Sequence, residues 1–149
     1  MSHAAGIEWE CHHSLLSRHF LWVKGFAAFY VLGIPLSHYA LPHSHIWGIA
    51  LFFLIAMLFT YPVSAIIQRA HIRLEFAISL GLAVLGILGW ILSPWLIILA
   101  IAAHGTWDLL KHRHSAGVSF FGWYVSGCAV VDFCYAGALC AVLMQGGTI

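Results

Sequence analysis

LEFAISLGLAVLGILGWILSPWLIILAIAAHGTWDLL, residues 74–110, lies between Arg73 and Lys111, and its reading decides the architecture. As one helix, at about 1.5 Å per residue, it would run about 55 Å, nearly twice the ~30 Å hydrocarbon core of a bilayer. Ser93-Pro94 stands near its middle. Pro94 suits a first helical position and Ser93 an N-cap, so the pair reads as a turn. The stretch is therefore expected to form a hairpin of two spans, about 75–92 and 94–110. Three more apolar runs flank it, at about 20–41, 46–67 and 120–144, the second with a kink expected at Pro62. The expected fold class is an all-α, polytopic transmembrane helix bundle of five spans. It forms one domain, 20–144, between an N-terminal segment, 1–19, and a short tail, 145–149.

The composition agrees. Of 149 residues, 62% are hydrophobic and 7% charged, the formal net charge is +1, and the mean hydropathy is +0.95. An ordinary soluble domain carries about 25% charged residues. So few ions cannot cover a water-exposed surface, and there is no basic surplus to neutralise the phosphates of a nucleic acid. Three of the four cysteines, Cys128, Cys134 and Cys140, lie in one apolar run with only Cys11 elsewhere, which speaks against a disulfide scaffold. Asn is absent, so there is no N-glycosylation signal. Residues 1–19, MSHAAGIEWECHHSLLSRH, carry two acids and lack the basic start and apolar run of a signal peptide. The N-terminus is expected to be mature and cytoplasmic.

Charge sets the expected orientation. Arg18 precedes the first span and Lys24 lies one turn inside its start, from where it can snorkel outward, Arg69 and Arg73 lie between the second and third, and Lys111 and Arg113 between the fourth and fifth. All six basic residues fall on one side. The positive-inside rule then puts the N-terminus in the cytoplasm and the C-terminus outside, in a cytoplasmic (inner) cell membrane. Trp22, Trp47, Trp90, Trp95, Trp107 and Trp123 stand near span ends, as an interfacial belt requires. Ser79, Ala83 and Gly86 in the third span, and Gly122, Ser126, Ala129, Ala136 and Gly137 in the fifth, read as packing faces, with self-association as the alternative.

Polar groups within such spans need a reason, because a charged side chain at mid-membrane costs on the order of 2.5–3.5 kcal/mol. Asp132 stands inside AVVDFCYAG, residues 129–137. His104, Asp108 and His112 follow at intervals of four and share one helix face. His104 lies about 10 Å from Lys111 along its helix, and Asp132 ~13 Å from Trp123 along the next. The depths match, so His104 and Asp132 can meet across antiparallel helices. Asp108 can hold the His104 ring or reach Lys111 and His112, and Tyr135, Tyr61 or Thr60 can join. The expected catalytic residues are His104, Asp132 and Asp108. The expected metal ligands are His104, Asp108, His112, His114 and Asp132, with Zn or Fe as the metal. Eleven histidines suggest two further clusters. One is cytoplasmic, from Cys11, His12, His13, His71, His112, His114 and Glu75. The other is outer, from His38, His43 and His45.

Several chemistries are set aside. The histidine boxes of di-iron desaturases, H-E-x-x-H, G-x-S-x-G, a P-loop and C-x-x-C are all missing, and a bis-histidine haem lacks a second mid-span histidine. What remains is an enzyme using a metal or acid–base chemistry on an apolar or lipid-like substrate drawn from the bilayer. The alternatives are a proton-coupled or metal ion transporter and an accessory or assembly subunit of a larger membrane complex. A homo-oligomer is open in each case.

Overall fold

The computed structural model describes residues 20–42, 45–112 and 116–145. Among these the chain is all-helical, without strands. Helix α1 is Phe20–Ala40, α2 Ile46–Leu58, α3 Thr60–Gln68, α4 Ile72–Leu92, α5 Pro94–His112 and α6 Gly122–Met144. Helices α2 and α3 run on as a single 23-residue rod, Ile46–Gln68. The interruption at Phe59 traces to Pro62, which has no N–H for the carbonyl of Leu58. The Ser79 hydroxyl of α4 donates to that carbonyl at 3.0 Å, so the defect in one helix is satisfied by its neighbour.

Three rods are long and apolar enough to cross a membrane: Ile46–Gln68, Ile72–Leu92 and Gly122–Met144. Helices α1 and α5 are of similar length, but polar residues dilute them: Lys24, Ser37 and His38 in one, His104, Asp108 and Lys111 in the other. The α2–α3 rod is the hub, with 61% of its apolar window buried inside the protein against 17% for α4. The outward face of α4, with Leu80, Val84, Ile87 and Ile91, is exposed and apolar. A surface of that kind suits lipid rather than water.

Close approaches fix the packing. At Gly86 a Cβ would stand 2.6 Å from Leu54 Cδ2, and at Gly89 2.6 Å from the Ile97 backbone nitrogen. The small residues of α4 thus lie against α2 and α5. Ser93 is extended, at φ −170° and ψ 129°, and turns the chain between α4 and α5. Two cores result. The larger joins Trp47, Phe53, Leu54 and Met57 of α2 to Ile97 and Ile101 of α5 and Leu139 of α6. The smaller, near the start of α6, gathers Val23, Tyr61, Ala65, Val118, Phe120 and Tyr124. Trp47, expected in an interfacial belt, is instead a core residue, because it faces the hub's neighbours rather than the periphery.

Candidate functional site

Helix α5 turns Leu99, Leu109 and Leu110 outward and buries the stripe that holds His104 and Asp108. Its next residue, Gly105, lets α6 come close. A Cβ there would lie 3.0 Å from Asp132 Cβ and 3.5 Å from the Ala129 carbonyl oxygen. That approach brings His104 Nδ1 to 2.7 Å from Asp132 Oδ2 and leaves it 3.8 Å from Asp108 Oδ2. The carboxylate accepts, so Nδ1 carries the hydrogen. From α3 the Tyr61 hydroxyl donates to Asp108 Oδ1, and its ring stacks on His104 at 6.0 Å between centroids. His104, Asp108 and Asp132 are 4%, 0% and 1% exposed.

His104, Asp108 and Asp132 each offer one ligand atom, and the three atoms lie within 4.8 Å of one another. Two carboxylates share one imidazole in a dry site. Even with His104 protonated, two ionised carboxylates leave one negative charge over, so the site calls for one further proton or cation. Three ligands of N and O type, with one side facing a cavity, are what a metal site needs to hold an ion and keep a position for substrate.

The cavity has a volume of about 410 Å³. Its walls come from α1, the α2–α3 rod and α6 and are nearly all apolar, with His104 and Asp132 among the lining. Val31, Trp123 and Val130 also line it and are exposed, so it reaches the side of the bundle between α1 and α6.

A second buried polar cluster sits beside the first. Lys111 pairs with Glu75 at the start of α4. Trp107 Nε1 donates to Glu75 Oε2 at 3.2 Å, and the Val118 N–H donates to Oε1 at 2.7 Å. Lys111 Nζ also lies 4.3 Å from the Tyr61 ring centroid, on its face. Gly117 crosses the pair with φ +74°, where a Cβ would strike Glu75, Lys111 and Trp107. Lys111 is therefore Glu75's partner and not that of Asp108. Glu75, expected in a cytoplasmic metal cluster, is instead the partner of Lys111, a pair that spacing alone does not reveal. Its acid in an otherwise apolar run was the available signal, the same one that singled out Asp132.

The remaining candidates lie apart. His112 is exposed, and its Nδ1 meets Ser126 Oγ at 3.0 Å. His71 is exposed in the turn before α4. Tyr135 bonds His38 Nε2 at 2.7 Å rather than joining Asp132, because it lies on the part of α6 that meets the end of α1. His114, Cys11, His12, His13 and His43 lie outside the described residues. Cys128, Cys134 and Cys140 are free thiols. Comparison with protein-family models, with curated proteins and with solved structures finds no match.

Proposed function

We propose that this chain is a five-pass protein of a cytoplasmic membrane, with its N-terminus inside. In this reading it is an enzyme that binds a transition-metal ion, Zn or Fe, at His104, Asp108 and Asp132 and acts on an apolar or lipid-like substrate. The observation that carries this is the trio of donor atoms within 4.8 Å, two of whose residues, His104 and Asp132, line a largely apolar cavity that opens sideways. A side opening suits a substrate that arrives through lipid. A bound metal would polarise a substrate oxygen or activate a water. The chain's own groups have distinct tasks. His104 and Asp132 hold the ion or the proton, and Tyr61 fixes the orientation of the Asp108 carboxylate through its hydroxyl.

A second reading, a proton-coupled carrier, draws on the polar groups that continue from Asp132 through His104, Asp108 and Tyr61 to Lys111 and Glu75. Proton flux in proteoliposomes that stops in Asp108→Asn would favour it. The decisive measurement for the first reading is elemental analysis of the detergent-purified full-length protein. About one equivalent of Zn or Fe is expected. It should be lost in His104→Ala and Asp132→Asn while circular dichroism and elution volume stay unchanged. A wild-type protein that takes up no metal, or folded variants that keep it, would overturn the metal centre.

A further inference from the structure

Among the described residues three buried side-chain polar atoms have no hydrogen-bond partner, Asp108 Oδ2 and two others, and those two belong to residues lining the same cavity. One is Nε2 of His104, the ring nitrogen turned away from Asp132. The other is the hydroxyl of Tyr30 on α1. The Thr60 hydroxyl stands close enough to act on Tyr30, but its contact of hydrogen-bond length is with Tyr124, at 3.4 Å, and no protein atom meets the Tyr30 oxygen in hydrogen-bond geometry. His104 and Tyr30 are 4% and 3% exposed, so bulk water does not serve them. A buried polar group without a partner is costly, and two on one cavity with largely apolar walls mark the place of a ligand's polar end.

The geometry points to a membrane-dissolved amphiphile with one hydroxyl group, its head between Tyr30 and His104 and its apolar body leaving between Val31 and Val130. This deepens the reading of the His104 site as one for a lipid-like substrate and rests on it. A hydroxyl fits better than a carbonyl or a carboxylate for two reasons. With a proton on Nδ1, Nε2 offers a lone pair, whereas with a metal there it offers an N–H. A hydroxyl answers both, since it donates and accepts. A carboxylate would add negative charge to a site that already has two acids.

The body of the ligand has a defined exit. Val31 and Val130 are 55% and 63% exposed and sit near the middles of α1 and α6, at mid-height of the bundle. On either side of this gap α1 is tied down. At one end Val23 packs with Val118, Phe120 and Tyr124, and at the other His38 bonds Tyr135. The opening is thus a window between two fixed points. A volume near 410 Å³ falls in the ~300–1,000 Å³ range of small-molecule sites.

The test uses full-length protein in nanodiscs with a diazirine-bearing tetradecanol as probe. Unlabelled tetradecanol and tetradecane compete, and crosslinked peptides are mapped by mass spectrometry. Labelling is expected on α1 and α6 at the window. Tetradecanol should compete roughly tenfold better than tetradecane, as one or two added hydrogen bonds allow. Tyr30→Phe, which keeps the ring, should lose most of that preference, and Val130→Trp should block labelling. Equal competition by the alkane, labelling confined to the outer face of α4, or an unchanged preference in Tyr30→Phe would overturn the proposal. The same assay after chelator treatment separates it from the metal reading. Probe binding without any metal uptake sinks only the metal centre, and metal uptake without hydroxyl preference sinks only this inference.

Discussion

Tyr61 reaches Asp108 from a helix 47 positions away in the chain, and that one hydroxyl settles which way the carboxylate points. Tyr61→Phe keeps the ring that stacks on His104 and removes only the donor. Metal affinity, read by chelator competition, should fall about 10–100-fold, as loss of a partner behind a ligand typically does. Stability in detergent melts should fall as well, by about 1.5–3 kcal/mol, because the buried carboxylate loses its hydrogen-bond donor. At this scale the sequence was partly readable. Matching depths in two adjacent helices were enough to place His104 near Asp132. The partner of Asp108 was not decided, since spacing along α5 also allowed Lys111. Only the arrival of Glu75, 36 residues from Lys111, removes that option.

Helices α5 and α6 meet through Gly105, and the height of that contact sets the site. Gly105→Val would push Asp132 away from His104. A loss of about 1–3 kcal/mol is expected from overpacking, with metal uptake falling alongside. Gly137→Ala in α6 meets nothing within 4 Å and should stay within about 0.5 kcal/mol of wild type. Thermal unfolding of both variants in one detergent makes the comparison. Element boundaries were legible because they follow local rules. Pro94 opens α5 and Ser93 is extended before it, as the Ser-Pro turn implied. The break at Phe59 was legible from Pro62, but its repair by Ser79 was not, since it depends on which helix lies alongside.

Glu75 and Lys111 tie the start of α4, the end of α5 and the segment before α6 into one knot at one end of the molecule. Glu75→Gln would leave a buried ammonium without its counter-charge, and a cost of about 3–5 kcal/mol is expected in detergent melts. The double variant Glu75→Leu with Lys111→Met should regain most of it, because an apolar pair of similar volume removes the unpaired charge as well. Orientation belongs to the same scale. A reporter fused after residue 145 should be active only outside the cytoplasm, whereas activity inside would contradict five passes. By itself the sequence determined a helical, apolar chain with few charges, because hydrophobicity and helix-ending residues act over a few positions. The tertiary structure alone decided that Lys111 serves Glu75 and Tyr61 serves Asp108, that Trp47 is core, and that a cavity opens beside α1. Helices apolar on every side carry no pattern that states which face turns inward. That choice is made by close packing at Gly86, Gly89 and Gly105, between residues far apart in the chain.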